Sequence, residues 1–212
     1  IEGLKTEEKS ADAIASNVSG ALIYGKNTAM GEFETEESVK KITLQDVKNL
    51  YNKYYGPDNA YMVVVGDVKF NEVKSLIEKN FNGWKKTNVK YDAVPAAKNL
   101  ATTEINVVDV PNAVQSVVSV SNVTDVKTNN PQYFAAKIAN YILGGGGEAR
   151  LFMNLREKNA FTYGAYSSLS TSKYAPNFSA QSSVRNEVTD KAIIEFMNEL
   201  KAITGKKVTA EE

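Results

Sequence analysis

The chain has 212 residues, enough to bury a sizeable core in one domain or two small ones, with 25 Lys or Arg balanced by 25 Asp or Glu. That zero formal charge gives no global field to gather an anionic membrane or an acidic substrate, and no nucleic acid is expected as a partner. The absence of Cys excludes disulfides, a disulfide-linked partner, thiolate metal sites and a cysteine nucleophile, and the absence of His removes a principal zinc ligand.

Residues 1–24 read as helix, with Ala11, Ile14, Ala15, Val18, Leu22 and Ile23 at helical spacing and no proline. Gly25 to Phe33 reads as a turn, and Glu34 to Lys40 as an acidic first turn with a short helical piece. Thr43 followed by Asp46 resembles a capping box, and Val47, Leu50, Tyr51 and Tyr54 then share one helical face that Gly56 and Pro57 end. Ala60 to Val65 is apolar and β-branched, which predicts a buried strand; a helix over about Asn71 to Asn80 follows, with Val73, Leu76 and Ile77 inward.

Between Gly83 and Thr103 the apolar period disappears, and residues 91–103 read as a linker. Strands are expected at Glu104 to Val110 and Val114 to Val120, then a helix from Asn130 and Pro131 that carries Phe134, Ile138, Tyr141 and Ile142 to the glycines. A second helix is expected from Ala149 to Lys158 with Leu151, Phe152 and Leu155 on one side. Strands at Phe161 to Ser170 and Asn177 to Val184 come next, and a last helix from Thr189 to Ile203 ends at Gly205. This order predicts an α+β fold of two-layer α/β domains, their antiparallel or mixed sheets covered by helices. No apolar stretch approaches the roughly 20 residues that span a bilayer.

Two clusters invite chemistry. Gly144, Gly145, Gly146 and Gly147 precede a helix and leave the backbone free to approach a peptide carbonyl or an anion. A P-loop is a poor reading, because Glu148-Ala149 follows where Lys-Ser or Lys-Thr is needed, and a helix precedes instead of a strand. A peptide-contacting loop and a simple helix-to-helix turn both fit. Arg156 and Tyr163, seven positions apart, fall near a helix end and the start of a strand, where both could face one cleft. Arg offers a fixed fork of donors and Tyr a phenolic O–H for a developing oxyanion. The plainer reading is an Arg at a helix C-terminus and a Tyr packed on a strand.

The ordered motifs resemble one family. Ile42 to Tyr55 followed by Gly56-Pro57-Asp58-Asn59-Ala60 and the run Tyr61 to Val68, ending in Val64-Val65-Gly66-Asp67-Val68, is similar to the "helix, P-x-N, strand ending VVGDV" stretch of the pitrilysin/insulinase zinc peptidases, or inverzincins. Phe81 to Trp84 resembles the F-x-x-W that closes their catalytic-type domain, and Leu143 to Tyr163 resembles the "LGGG, SRL, LRE, Y" segment of the domain that follows. The branch resembled includes the mitochondrial processing peptidases and bacterial relatives.

The resemblance implies that residues 1–90 are the C-terminal part of a catalytic-type domain and that residues 104–212 are a second, inactive-type, substrate-clamping domain truncated at its C-terminus. It implies an internal fragment, one half of a clamshell that closes with a second family half or subunit around an unfolded peptide. Arg156 and Tyr163 map onto an Arg and a Tyr that bind substrate and stabilise the intermediate. Zinc is expected in the parent metalloendopeptidase, held by H-x-x-E-H and a downstream Glu, none of which this chain supplies. The fragment itself is expected to be inactive. A non-catalytic family member serving as a structural or substrate-binding subunit fits the missing histidines equally well. Thr28-Ala29-Met30 departs from the His-Pro-x-Gly turn common in relatives, and the bacterial resemblance leans toward a periplasmic or cell-envelope location.

Overall fold

The computed structural model describes all of residues 1–212. The expected first helix is two: α1 (Glu2–Glu7) and α2 (Ala11–Tyr24). The break falls at Ser10, whose hydroxyl accepts from the Ala13 N–H at 3.3 Å and so starts a new helix in place of continuing the old one. Gly25 ends α2 with φ of 84°, a left-handed conformation that a side chain disfavours. The departing turn is closed locally, with the Thr28 hydroxyl donating to the Tyr24 carbonyl at 3.0 Å.

Three further helices, α3 (Glu36–Lys40), α4 (Leu44–Tyr54) and α5 (Phe70–Phe81), lie in a compact unit spanning Thr35–Ala93. Both α3 and α4 begin with reciprocal capping boxes, Thr35 with Ser38 and Thr43 with Asp46. After α4 the chain is pinned by Asp58, whose carboxylate accepts from the backbone N–H of Thr87 (3.0 Å) and of Asn88 (2.7 Å). The Trp84 indole N–H donates to the Tyr55 carbonyl at 3.1 Å.

Residues 60–65, expected as a buried strand, form none, and Tyr61, Val63 and Val65 are 100%, 82% and 91% exposed. Residues 104–110 likewise form no strand. Both runs have β-type side chains, yet no strand of the chain pairs with either, and an extended segment becomes sheet only when a neighbour satisfies its backbone.

The second compact unit joins Ile1–Glu34 to Val94–Glu212, so the division after Ala93 falls within the segment read as a linker at residues 91–103. Its elements after α2 are β1 (Gln115–Val123), α6 (Tyr133–Gly144), α7 (Arg150–Phe152) leading into a π-helical turn at Met153–Lys158, β2 (Thr162–Ser170), β3 (Asn177–Arg185) and α8 (Thr189–Gly205). The three strands form one antiparallel sheet in the order β1-β3-β2, with Val118 opposite Ser182 and Ser182 opposite Ala165. The fold is therefore α+β, as the element order implies.

One face of the sheet presents Val118, Ala165, Ala180 and Val184 to Leu143, Leu151, Leu155, Ala192 and Phe196, which form the core. Here α6 and α7 pack on β2, and α8 packs on β1 and β3. Phe196, Leu151, Leu155 and Val184 are the largest fully buried side chains, each contributing about 1.5–3 kcal/mol by leaving water. Helix α2 lies against β1, and its Asp12 accepts from Ser183, which alternates with core-facing Ser182 and Val184, so α2 covers the opposite face. Asn99, within the expected linker, exchanges two hydrogen bonds of 2.9 Å with the backbone of Val123 and ties the approach segment to the end of β1.

Candidate functional site

The expected helix over 149–158 exists, but its second half is π-helical. The Asn159 N–H reaches back five residues to the Asn154 carbonyl (3.1 Å), and the Phe161 N–H reaches the Leu155 carbonyl at 2.8 Å. The wider turn lets Leu151, Phe152, Asn154 and Leu155 all face inward and leaves Arg156 and Glu157 outside. Arg156 is half exposed, with its guanidinium carbon 4.8 Å from the centre of the Phe152 ring and its Nε 3.6 Å from a Glu157 carboxylate oxygen.

Tyr163 sits near the start of β2, 88% exposed, where a register shift between Thr162 and Ala165 turns the strand. The irregularity is held by the Thr162 hydroxyl, donating to the Ser183 carbonyl at 2.7 Å, and the Ser182 hydroxyl, donating to the Gly164 carbonyl at 2.8 Å. Tyr163 lines an open groove of about 360 Å³ with Gln115, Thr162, Gly164, Tyr166 and Ser183. Arg156 is not in that lining. It connects to it through Phe152, whose ring lies 5.8 Å from that of Tyr166.

Tyr166 and Phe152 are the neighbours of Tyr163 and Arg156 that residue spacing does not reveal. Phe152 is buried, as its place on the inward side of the expected helix implies, and it also stands one helical turn before Arg156. Tyr166 stands three residues after Tyr163, on a strand where strict alternation would put the two on opposite faces, and the irregularity brings both to one groove.

The four glycines divide. Gly144 is buried at the end of α6, and a Cβ there would meet the Ser167 nitrogen at 2.4 Å, so its missing side chain is already used by the contact of α6 with β2. A Cβ on Gly145 would meet the Tyr141 side chain at 2.6 Å, whereas at Gly146 and Gly147 the nearest atoms are 3.8 and 3.9 Å away. Gly146 and Gly147 are the pair that an added side chain would not crowd.

Groups of three or more His, Cys, Asp or Glu able to hold a metal ion occur nowhere in the chain. The carboxylates beside the π-helical turn, Glu195 and Glu199, both accept from the Asn154 amide, at 2.8 and 2.6 Å. The donor set of this chain does not fit a zinc ion. No helix is long and apolar enough to cross a membrane.

Known proteins are similar to this chain in sequence and in fold. The "Probable inactive metalloprotease YmfF" of Bacillus subtilis is 28% identical over 137 residues, covering 65% of this chain and 32% of its own length. An uncharacterised zinc protease of Streptomyces coelicolor is 24% identical over 167 residues, 76% of this chain and 36% of its own. The chain therefore spans about a third of the length of these curated relatives. In fold, it is similar to a crystal structure of a peptidase M16 inactive domain from Pseudomonas fluorescens, with a TM-score of 0.82, 19% identity, and coverage of 99% of this chain and 50% of that one. The periplasmic protease PqqL of Escherichia coli is also similar, with a TM-score of 0.66, 19% identity, and coverage of 99% and 24%. Since residues 41–212 match the family described as the peptidase M16 inactive domain, the chain belongs to that family.

Proposed function

We propose that this chain is the peptide-gripping half of an M16-type zinc endopeptidase that acts on unfolded peptides inside a two-half clamshell. The single observation that carries the reading is Tyr163, almost fully exposed on the wall of a groove to which Arg156 is linked through Phe152 and Tyr166. A large side chain left in water at the rim of a rigid sheet is available to a ligand. The Tyr163 hydroxyl donates to a peptide carbonyl oxygen and stabilises negative charge as it develops there; Arg156 donates two parallel hydrogen bonds to the peptide backbone or a carboxylate.

Gly146 and Gly147 provide the surface across which the peptide backbone passes, and Gly144 and Gly145 hold that loop against α6 and β2. A parent enzyme obtains its metal ligands and general base from residues outside this chain, so the chain alone hydrolyses nothing. The names of the Streptomyces and Bacillus relatives support both a zinc protease and an inactive one.

The test is made on the parent protein loaded with zinc and given an unstructured peptide. Arg156→Ala and Tyr163→Phe should each lower kcat/KM about 10- to 1000-fold while zinc content stays the same. Unchanged turnover in both variants removes the two residues from the site. A second reading is a non-catalytic subunit that binds peptide for a catalytic partner, and the name of the Bacillus relative supports it. An H-x-x-E-H motif elsewhere in the parent sequence decides for the enzyme; its absence decides for the subunit.

A further inference from the structure

We infer that Asn154, Glu195 and Glu199 form a positioning cluster that fixes the direction in which Arg156 projects. This inference rests on the reading of Arg156 as a peptide contact. Asn154 is only 9% exposed and lies in the π-helical turn two residues before Arg156. Both hydrogens of its amide are used: one meets a Glu195 carboxylate oxygen at 2.8 Å and the other a Glu199 carboxylate oxygen at 2.6 Å. Its amide oxygen accepts from the Asn159 side chain at 2.6 Å, and that same side chain also donates to the Asn154 backbone carbonyl at 3.0 Å.

A π-helical turn is not self-supporting, because its wide ring forfeits the closer contacts of the α-helix. In this chain the turn is held from outside. Glu195 and Glu199 are one helical turn apart on α8, and so form two fixed acceptors on a rigid rod. Two carboxylates brought to one amide repel each other unless that amide stands between them, so an acceptor at position 154 breaks the arrangement and a donor keeps it. Asn is the residue that fills both donor positions and still accepts from Asn159. With the turn held at Asn154 and again at buried Leu155, the Arg156 backbone is placed so that its guanidinium lies over the Phe152 ring. Asn154, Glu195 and Glu199 touch no substrate in this account; they act through Arg156.

The experiment uses the 212-residue chain. Asn154→Asp keeps the shape and turns a donor into an acceptor; adding Glu195→Gln and Glu199→Gln reverses the polarity of the whole cluster and restores the complementarity. Three quantities are read: the Arg156 Nε–Hε signal by NMR, the affinity for fluorescein-labelled casein as an unfolded polypeptide, and the melting temperature. The expected result is that Asn154→Asp shifts or broadens the Arg156 signal and weakens casein binding about tenfold, in line with loss of charge-assisted hydrogen bonds, and that the triple variant recovers both. An Arg156 signal unmoved by Asn154→Asp overturns the inference. So does a triple variant that recovers the melting temperature but neither the signal nor the affinity, since that is a merely structural role. Casein binding unchanged in Arg156→Ala would defeat the reading of the site instead, and the Arg156 signal would still judge the cluster.

Discussion

Replacing Gly144 with alanine tests whether the glycine run is a packing device at its start and sterically open at its end. The new methyl carbon would lie 2.4 Å from the Ser167 nitrogen, 2.6 Å from its hydroxyl oxygen and 2.9 Å from Leu151 Cδ1. Reaching an ordinary 3.4 Å from the nitrogen requires α6 to withdraw from β2 by roughly 1 Å, because the obstacle is backbone and Leu151 is fully buried. The same movement strains the Asn140 and Ser167 contacts, where each residue's side chain bonds the other's carbonyl at 3.4 and 3.3 Å.

Overpacking of this kind costs about 1–3 kcal/mol, and the helix-propensity gain from Gly to Ala returns at most about 1 kcal/mol. Because backbone takes the clash, a net loss of about 2 kcal/mol is expected, which for a chain of this size lowers Tm by about 4–8 °C. Gly146→Ala and Gly147→Ala have nothing nearer than 3.8 Å and should remain within about 0.5 kcal/mol of the parent stability. Thermal melting followed by far-UV circular dichroism separates the three. A Gly144→Ala chain that melts with the unaltered protein, or a Gly146→Ala chain that melts lower than Gly144→Ala, refutes the reasoning.

Phe196→Ala should cost about 3–5 kcal/mol in urea titrations, since this ring is fully buried between α8 and the sheet and leaves a cavity that the surrounding core cannot close. Thr43→Ala removes the acceptor for the Asp46 N–H and should weaken α4 by about 1 kcal/mol, visible as faster amide exchange in its first turn while β1 to β3 keep their protection. The Asp58 carboxyl is held below its ordinary range first by the Thr87 backbone N–H, and Asp46 is held low first by the Thr43 hydroxyl. Their contribution is complete above the ordinary Asp value of about 4 and is lost as pH falls through the lower folded values, so the unit of residues 35–93 should loosen as the solution is acidified below that ordinary value. Fluorescence of Trp84, the one tryptophan, follows that transition, and Asp58→Asn should flatten it; an unaltered acid limb would contradict the assignment.

Features that depend on neighbours in sequence were legible in advance. The Thr43 to Asp46 box forms with both reciprocal bonds, and the apolar spacing of residues 133–144 and 189–205 gives α6 and α8. The strands expected at Val114 to Val120, Phe161 to Ser170 and Asn177 to Val184 appear within a few residues of their expected limits as β1, β2 and β3. In each case the cause is local: a hydroxyl reaching its own helix, or a period matching 3.6 or 2 residues per repeat.

Whatever depends on a partner distant in the chain was decided by tertiary structure. Residues 60–65 and 104–110 have the same strand chemistry as β1 but find no strand to pair with, and propensity carries no information about that. The π-helical turn cannot be read from residues 153–158, because it is stabilised by Glu195 and Glu199 some forty positions later. Sequence placed Arg156 and Tyr163 seven positions apart, while the sheet irregularity brings Tyr163 and Tyr166 to one groove and leaves Arg156 over the Phe152 ring, outside that lining. The four glycines look alike in sequence, and only the approach of β2 to α6 makes Gly144 indispensable while leaving Gly146 and Gly147 open.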